Sequence, residues 1–335
     1  MAESEAVAKM ADLAARKIFA IFGWDDLKHR NRNWECVNQK KHNRQKSKTH
    51  PADVVFRYVD PYSGRDVYVH TDLKSYKKST LEATDLKKAL RSLATAIECA
   101  STSAGWQNLF LDDTRNSEIV GMLFVFNHDG GYDADFEGRL EAITPAAIEL
   151  PNNRFIGVVS PKRVIYLNSI ASDVQCLIAD KEIPHLEDCF FFFPHLMECG
   201  AVHPHSRALP LQHMLSPLIV FGYKPTAKRP QGGVIAYSDG HGSSVDEFKY
   251  LLDYFIRHQI ADGKKRVEVM FSRLDVGAAG HFETAKREFI RDYWPLAGDE
   301  KADAVKTISS VSLNTIQSSV PSFSEEILGM AEHSY

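Results

Sequence analysis

The sequence predicts an α/β (α+β) fold: a mixed sheet flanked by helices, followed by a smaller α+β domain. Three observations carry that reading. A hairpin of β-branched and aromatic residues, 53 to 59 and 67 to 74, lies between two stretches of helical apolar spacing, 5 to 23 and 80 to 100. A continuous apolar run, EIVGMLFVFN (118 to 127), follows the second stretch and reads as a buried strand. From residue 217 onward strand-like and helix-like stretches alternate, as they do in βα units.

In chain order, EAVAKMADLAARKIFAIFG (5 to 23) reads as an amphipathic helix stopped by Gly23. NWECVNQ (33 to 39) is expected to be a first strand, and the hairpin strands 53 to 59 and 67 to 74 are joined by DPYSGRD. LEATDLKKALRSLATAIECA, opening after Thr80, reads as a second amphipathic helix, and further strands are expected at 154 to 159 and 163 to 167. The stretch 180 to 215 is irregular and rich in Pro and His. Beyond it, PLIVFGYK and GGVIAYSDG read as strands, SSVDEFKYLLDYFIRHQI as a helix with a capping-box start at Ser244 and Glu247, RVEVMFSRL as a strand and HFETAKREFIRDYWP as a helix. The expected division is a first domain over 1 to 215 with its core at 5 to 127, a second over 216 to 295, and a weakly patterned tail over 296 to 335. At 335 residues, 44% of them hydrophobic, the chain is long enough for two cores.

Composition excludes some classes. No apolar run approaches the roughly 20 residues of a membrane-spanning helix. MAESEAVAK lacks the basic-then-apolar pattern of a leader, so the chain is expected to stay in the cytoplasm with no membrane partner. Five cysteines, an odd number without framework spacing, suit reduced thiols. A net charge of -4 gives no global attraction to nucleic acid. The local distribution differs. Lys28, Arg30, Arg32, Lys40, Lys41, Arg44, Lys46 and Lys48 face a single acid, Glu35, across 28 to 48, with His29, His42 and His50 punctuating or flanking the run. Such a run is either a solvated loop or a track for a phosphate backbone, and its place ahead of the hairpin favours the latter. Lys40, Lys41, Arg44, Lys46 and Lys48, with Lys77 and Lys78 after the hairpin, are the expected nucleic-acid contacts.

The hairpin itself carries the chemistry. Residues two apart on a strand share a face, so Asp72 and Lys74 point the same way. A turn on Ser63 and Gly64 would bring Asp53 opposite Lys74, with all three residues on one face. Two carboxylates so close repel unless a cation joins them, and oxygen ligands favour Mg²⁺ or Mn²⁺. A neighbouring lysine then orients water and stabilises charge on a phosphoryl group under attack.

Asp53 in HPAD, and Asp72 and Lys74 in TDLK, resemble the signature of the PD-(D/E)xK nuclease superfamily, whose restriction-endonuclease-like fold has the same order of helix, strand, hairpin, helix and strand. The resemblance covers roughly residues 5 to 127. It implies that Asp53 and Asp72 bind the metal and that Lys74 helps to position the hydrolytic water. Many members carry an additional acid on the first helix, for which Asp12 and Glu5 are the options here. The triplet acid-x-Lys occurs six times in the chain, and only the copy at Asp72 ends a β-branched run that pairs with a Pro-x-Asp strand.

Other motifs are weaker. Cys189, His195, Cys199, His203, His205 and His213 could form a zinc site, although no Cys-x-x-Cys pair is present. The amides of SDGHGSS (238 to 244) could hold an anion, and NHDGGYDADFEG (127 to 138) reads as an acidic glycine loop. No Gly-x4-Gly-Lys motif exists, which argues against a nucleotide-driven motor. The expectation is a metal-dependent endonuclease acting on DNA, in restriction or phage defence. Its C-terminal domain would serve substrate selection, homo-oligomer formation or a protein partner. The alternative is a non-catalytic nucleic-acid-binding or assembly subunit that keeps a nuclease fold.

Overall fold

A computed structural model describes residues 13–76, 82–112, 117–127, 136–151, 154–193, 205–293 and 305–316. The chain forms two compact units, one of residues 1–168, 208–215 and 320–335, the other of 169–207 and 216–319.

The first unit is built on a five-stranded sheet in the order β1-β2-β3-β4-β5. β1 (Asp25–Glu35), β2 (Thr49–Val59) and β3 (Asp66–Tyr76) are antiparallel neighbours, while β4 (Ser117–Asn127) and β5 (Ile156–Val159) continue in parallel. The crossover from β3 to β4 carries α1 (Ala83–Ala100) and the short α2 (Ala104–Phe110), which starts on Ser103. α1 buries Leu86, Leu90, Leu93 and Ile97 against Val55, Tyr68, Leu123 and Val125, with Trp106 and Phe110 of α2 in the same core. On β2 and β4 the alternate positions Phe56, Tyr58 and Phe124 meet an aromatic group from before β1: Phe19 lies 4.6 Å from Phe56, and Trp24 stacks on Tyr58 at 5.1 Å. Apolar side chains therefore bury both faces of β4, which explains its unbroken apolar run.

Several expectations shift. The described end of the first predicted helix is a π-helical turn, Ala15–Phe19, and Gly23 does close it in a left-handed conformation (φ 76°). The first strand begins eight residues earlier than expected, because β1 pairs with β2 across a bulge between Asp26 and Arg30. The hairpin loop spans Pro61 to Gly64. Asp60 accepts hydrogen bonds from the amide and hydroxyl of Ser63, and the amide of Asp60 bonds the Arg65 carbonyl. RVIYL, expected as a strand, lies inside α3's successor in the chain: after α3 (Phe136–Glu141), α4 (Pro161–Ala179) opens with Ser160 capping the amide of Arg163 and Pro161 in the first turn. That Ser-Pro start outweighs the β-branched pair Val164 and Ile165.

The second unit contains a six-stranded sheet ordered β11-β10-β9-β8-β6-β7. Its strands are β6 (Cys189–Phe192), β7 (His205–Ser206), β8 (Leu218–Tyr223), β9 (Gly233–Ser238), β10 (Arg266–Phe271) and β11 (Val311–Thr315). Following the four-residue α5 (Leu211–Met214) of the first unit, α6 (Val245–Arg257) and α7 (Ala278–Tyr293) bury Phe248, Leu252, Phe255, Phe282 and Phe289 against β9 and β10. β11 comes from the stretch expected as a weakly patterned tail. As an edge strand with only Val311 fully buried, VSLNT leaves little periodic signal.

Candidate active site

The β2–β3 pairing runs from Val59 opposite Asp66 to Val54 opposite Thr71, so one further step sets Asp53 beside Asp72. The expected partner was Lys74. The four-residue loop, held by Asp60, moves the register by two residues. A shift of two preserves the face, and Asp53, Asp72 and Lys74 remain together.

Lys74 Nζ lies 2.6 Å from Asp72 Oδ1, and the Leu73 amide donates to Asp53 Oδ2 at 2.8 Å. Asp72 is only 19% exposed at its side chain. Burial pushes its carboxyl up to about 7, with the Lys74 ammonium opposing and the adjacent Asp53 carboxylate reinforcing the rise. Asp53 and Asp72 open on a pocket lined also by Pro51, His70 and Thr71 from the sheet and by Ser92, Leu93 and Ala96 from α1.

His70 was not singled out by sequence reasoning. It is fully buried two residues before Asp72, and Trp106 Nε1 donates to its Nδ1 at 3.1 Å. Since indole is only a donor, Nδ1 must accept, and Nε2–H donates to the Pro51 carbonyl at 3.2 Å. Burial lowers its pKa to about 4, so the ring stays neutral and ties down the backbone two residues ahead of Asp53. The signal was its parity: positions 68, 70, 72 and 74 share one face.

The donor set fits a hard divalent cation. The Asp53 and Asp72 carboxylates both line the pocket, and oxygen ligands of this kind suit Mg²⁺ or Mn²⁺. The additional acids considered on the first helix, Asp12 and Glu5, lie outside the described residues, as do Lys77 and Lys78.

Part of the basic run is tied to α1. Lys41 pairs with Glu98 of α1, and Arg44 Nη2 donates to Ser92 Oγ at 2.9 Å, beside the pocket wall. Lys40, Lys46 and Lys48 are exposed. The suggested cluster at 189 to 213 is not assembled among the described residues. Cys189 Sγ is directed at the carbonyls of Pro184 and His185, the His205 ring lies tilted against Phe190, and His213 accepts from or donates to Tyr62, while His195, Cys199 and His203 lie outside the described residues. Most of the 127 to 138 loop is likewise outside them. The amides of His241, Gly242 and Ser243, suggested as an anion site, already bond the Glu247 carboxylate at 2.9 to 3.1 Å.

An antiparallel hairpin bearing an acid pair and a lysine, covered by a helix and followed by a parallel strand, defines a nuclease-type domain of the PD-(D/E)XK class. Residues 1–163 match the family model described as the GAPS4 protein PD-(D/E)XK nuclease domain, and this part of the chain belongs to that superfamily. Its members generally use divalent metals. No curated protein and no solved structure is similar enough to be matched. Among the described residues, no helix is long and apolar enough to cross a membrane.

Proposed function

We propose that the chain is a divalent-metal-dependent endonuclease that hydrolyses phosphodiester bonds of DNA. The carrying observation is that Asp53 and Asp72 line one pocket while Lys74, on the same sheet face, is held 2.6 Å from Asp72. Mg²⁺ or Mn²⁺ bound by Asp53 and Asp72 would supply Lewis acidity toward the scissile phosphate and its attacking water. The Leu73 amide fixes the Asp53 carboxylate, and the neutral His70 fixes the strand that carries it. Lys74, positioned by Asp72, orients the water and offsets charge that develops on the phosphoryl oxygens.

The experiment incubates plasmid, linear DNA and RNA with the protein, with and without Mg²⁺ or Mn²⁺, beside Lys74→Ala. Metal-dependent cutting of DNA by the wild type alone supports the reading. Binding without cleavage in any metal would favour the non-catalytic subunit instead. Exposed Lys40, Lys46 and Lys48 would follow the phosphate backbone, with Lys77 and Lys78 as further contacts. Replacing the first three by Gln should reduce the slope of log affinity against log salt by about 2 to 3, at about 0.9 per lost duplex contact, equally for all sequences. An unchanged slope would remove this run from the interface. Lys41 and Arg44 are less suitable probes, because both also hold α1. A cytoplasmic site of action, a role in phage defence, and recognition, self-assembly or partner binding by residues 216–295 complete the proposal. They rest on the nuclease class, the thiol content and the scattered, ion-paired acids of α6 and α7.

A further inference from the structure

Cys36, His42, His50 and Cys99 are all buried, and one ligand atom from each lies within 4.8 Å of every other. They come from three elements of the first unit: the β1–β2 connection, the start of β2 and the end of α1. From this we infer that the four side chains form a closed Cys₂His₂ zinc site, separate from the Asp53–Asp72 pair and structural in role.

Several observations converge on it. Cys36 Sγ lies 3.3 Å from His42 Nδ1 and 3.9 Å from Cys99 Sγ. Around tetrahedral zinc, bonds of about 2.3 Å to sulfur and 2.0 Å to nitrogen set ligand atoms about 3.3 to 3.8 Å apart. Two of the pairs already stand near that spacing, and the widest must close by only about 1 Å. His50 is completely buried, and neither of its ring nitrogens has a hydrogen-bond partner among the described residues. A buried imidazole in that condition is costly unless something else accepts its lone pair. His42 directs Nδ1 toward the cluster while Nε2 lies 3.3 Å from Glu98 Oε2, the outer carboxylate arrangement that orients metal-bound histidines. The Val37 amide points at Cys99 Sγ, 3.2 Å away, a hydrogen bond that favours a thiolate.

Two thiolates and two neutral imidazoles balance the charge of Zn²⁺, and the two thiol protons leave to solvent on binding. Soft sulfur with imidazole selects zinc over the hard cations that suit Asp53 and Asp72. Through these ligands the metal would staple the basic run and the start of β2 to α1. His50 sits about 10 Å along β2 from Asp53, at about 3.4 Å per residue.

The test is zinc content and ligand type on the full chain. Wild type and Asp72→Asn should each retain about one zinc per chain after dialysis, whereas Cys99→Ser should lose most of it. Cobalt exchanged into the wild type should give four-coordinate ligand-field bands with a thiolate charge-transfer band. Removing zinc with phenanthroline should lower Tm by roughly 10 °C, restored by zinc alone. If Cys99→Ser does not fold, X-ray absorption at the zinc edge of the wild type decides, because two sulfur and two nitrogen ligands are required. An oxygen-only shell, zinc retained by folded Cys99→Ser, no zinc uptake by the wild type, or a Cys36–Cys99 disulfide in the freshly purified protein would each overturn the inference. Nuclease activity enters none of these readings, so they stand apart from failure of the proposed cleavage.

Discussion

The two units treat acids on their central strands in opposite ways. In the second, Glu268 on β10 is buried and neutralised from within: Arg229 Nη1 lies 2.6 Å and Arg266 Nε 2.9 Å from Oε1, and Arg229 also reaches Glu182 and Tyr223. In the first, Asp72 pairs with Lys74, lies beside Asp53 and lines a pocket, its carboxyl pushed up to about 7. A carboxylate matched by two guanidiniums has little left to offer a ligand. An acid pair that lines a pocket keeps carboxylate oxygens that an external cation can take up. The difference separates a fold-holding network from a site built for a metal.

The comparison is broken most directly at Asp72 and Lys74. Asp72→Asn and Lys74→Ala should each reduce metal-dependent cleavage by about three orders of magnitude, measured on supercoiled plasmid at fixed folded protein. Far-ultraviolet circular dichroism should be unchanged, since neither side chain belongs to the core. A folded Asp72→Asn that still cuts would show that the pocket is not the reaction centre.

Glu268→Ala should do the reverse. Removing the carboxylate strands Arg229 without its buried partner and should cost the second unit about 3 to 5 kcal/mol in urea unfolding. At a temperature where that variant is folded, cleavage per molecule should stay within about twofold. If folded Glu268→Ala is inactive, the chemistry extends into the second unit and the contrast between the two acids fails.

These outcomes also bear on what could be read from the sequence. Asp53, Asp72 and Lys74 were legible because face parity on a hairpin survives any even register error, and the register was in fact off by two. The loop's true length was hidden in the Asp60 side chain, whose bonds to Ser63 no strand pattern encodes. RVIYL misled because local β-propensity was weighed ahead of the Ser160–Pro161 start of α4. The Cys36, His42, His50 and Cys99 grouping was illegible for a different reason. Cys99 is 63 residues from Cys36 in the chain and is brought close only by α1 packing on the sheet. Three of the four do fall within 15 residues around the basic run, which was the available hint.

The smallest predicted effect sharpens the comparison most, because it asks whether the acid pair is a burden when no cation is bound. The Asp72 carboxyl is raised from 3.8 to about 7 in the fold, chiefly by burial. A raised carboxyl makes the folded state bind the proton more tightly than the unfolded chain, so its stabilising contribution is present below about pH 4 and is lost as pH rises through 7. Asn at this position cannot titrate. In EDTA, Asp72→Asn should therefore match the wild type near pH 5 and exceed it near pH 8 by about 1 to 2 kcal/mol, or about 2 to 6 °C in Tm. Adding Mg²⁺ or Mn²⁺ at pH 8 should reverse the order, since the ion stabilises only the chain that still carries both carboxylates. Thermal melts of the two proteins at both pH values, with and without metal, test each sign separately. Equal melting temperatures at pH 8 in EDTA would mean that Lys74 already neutralises the pair, leaving Asp72 in the same condition as Glu268.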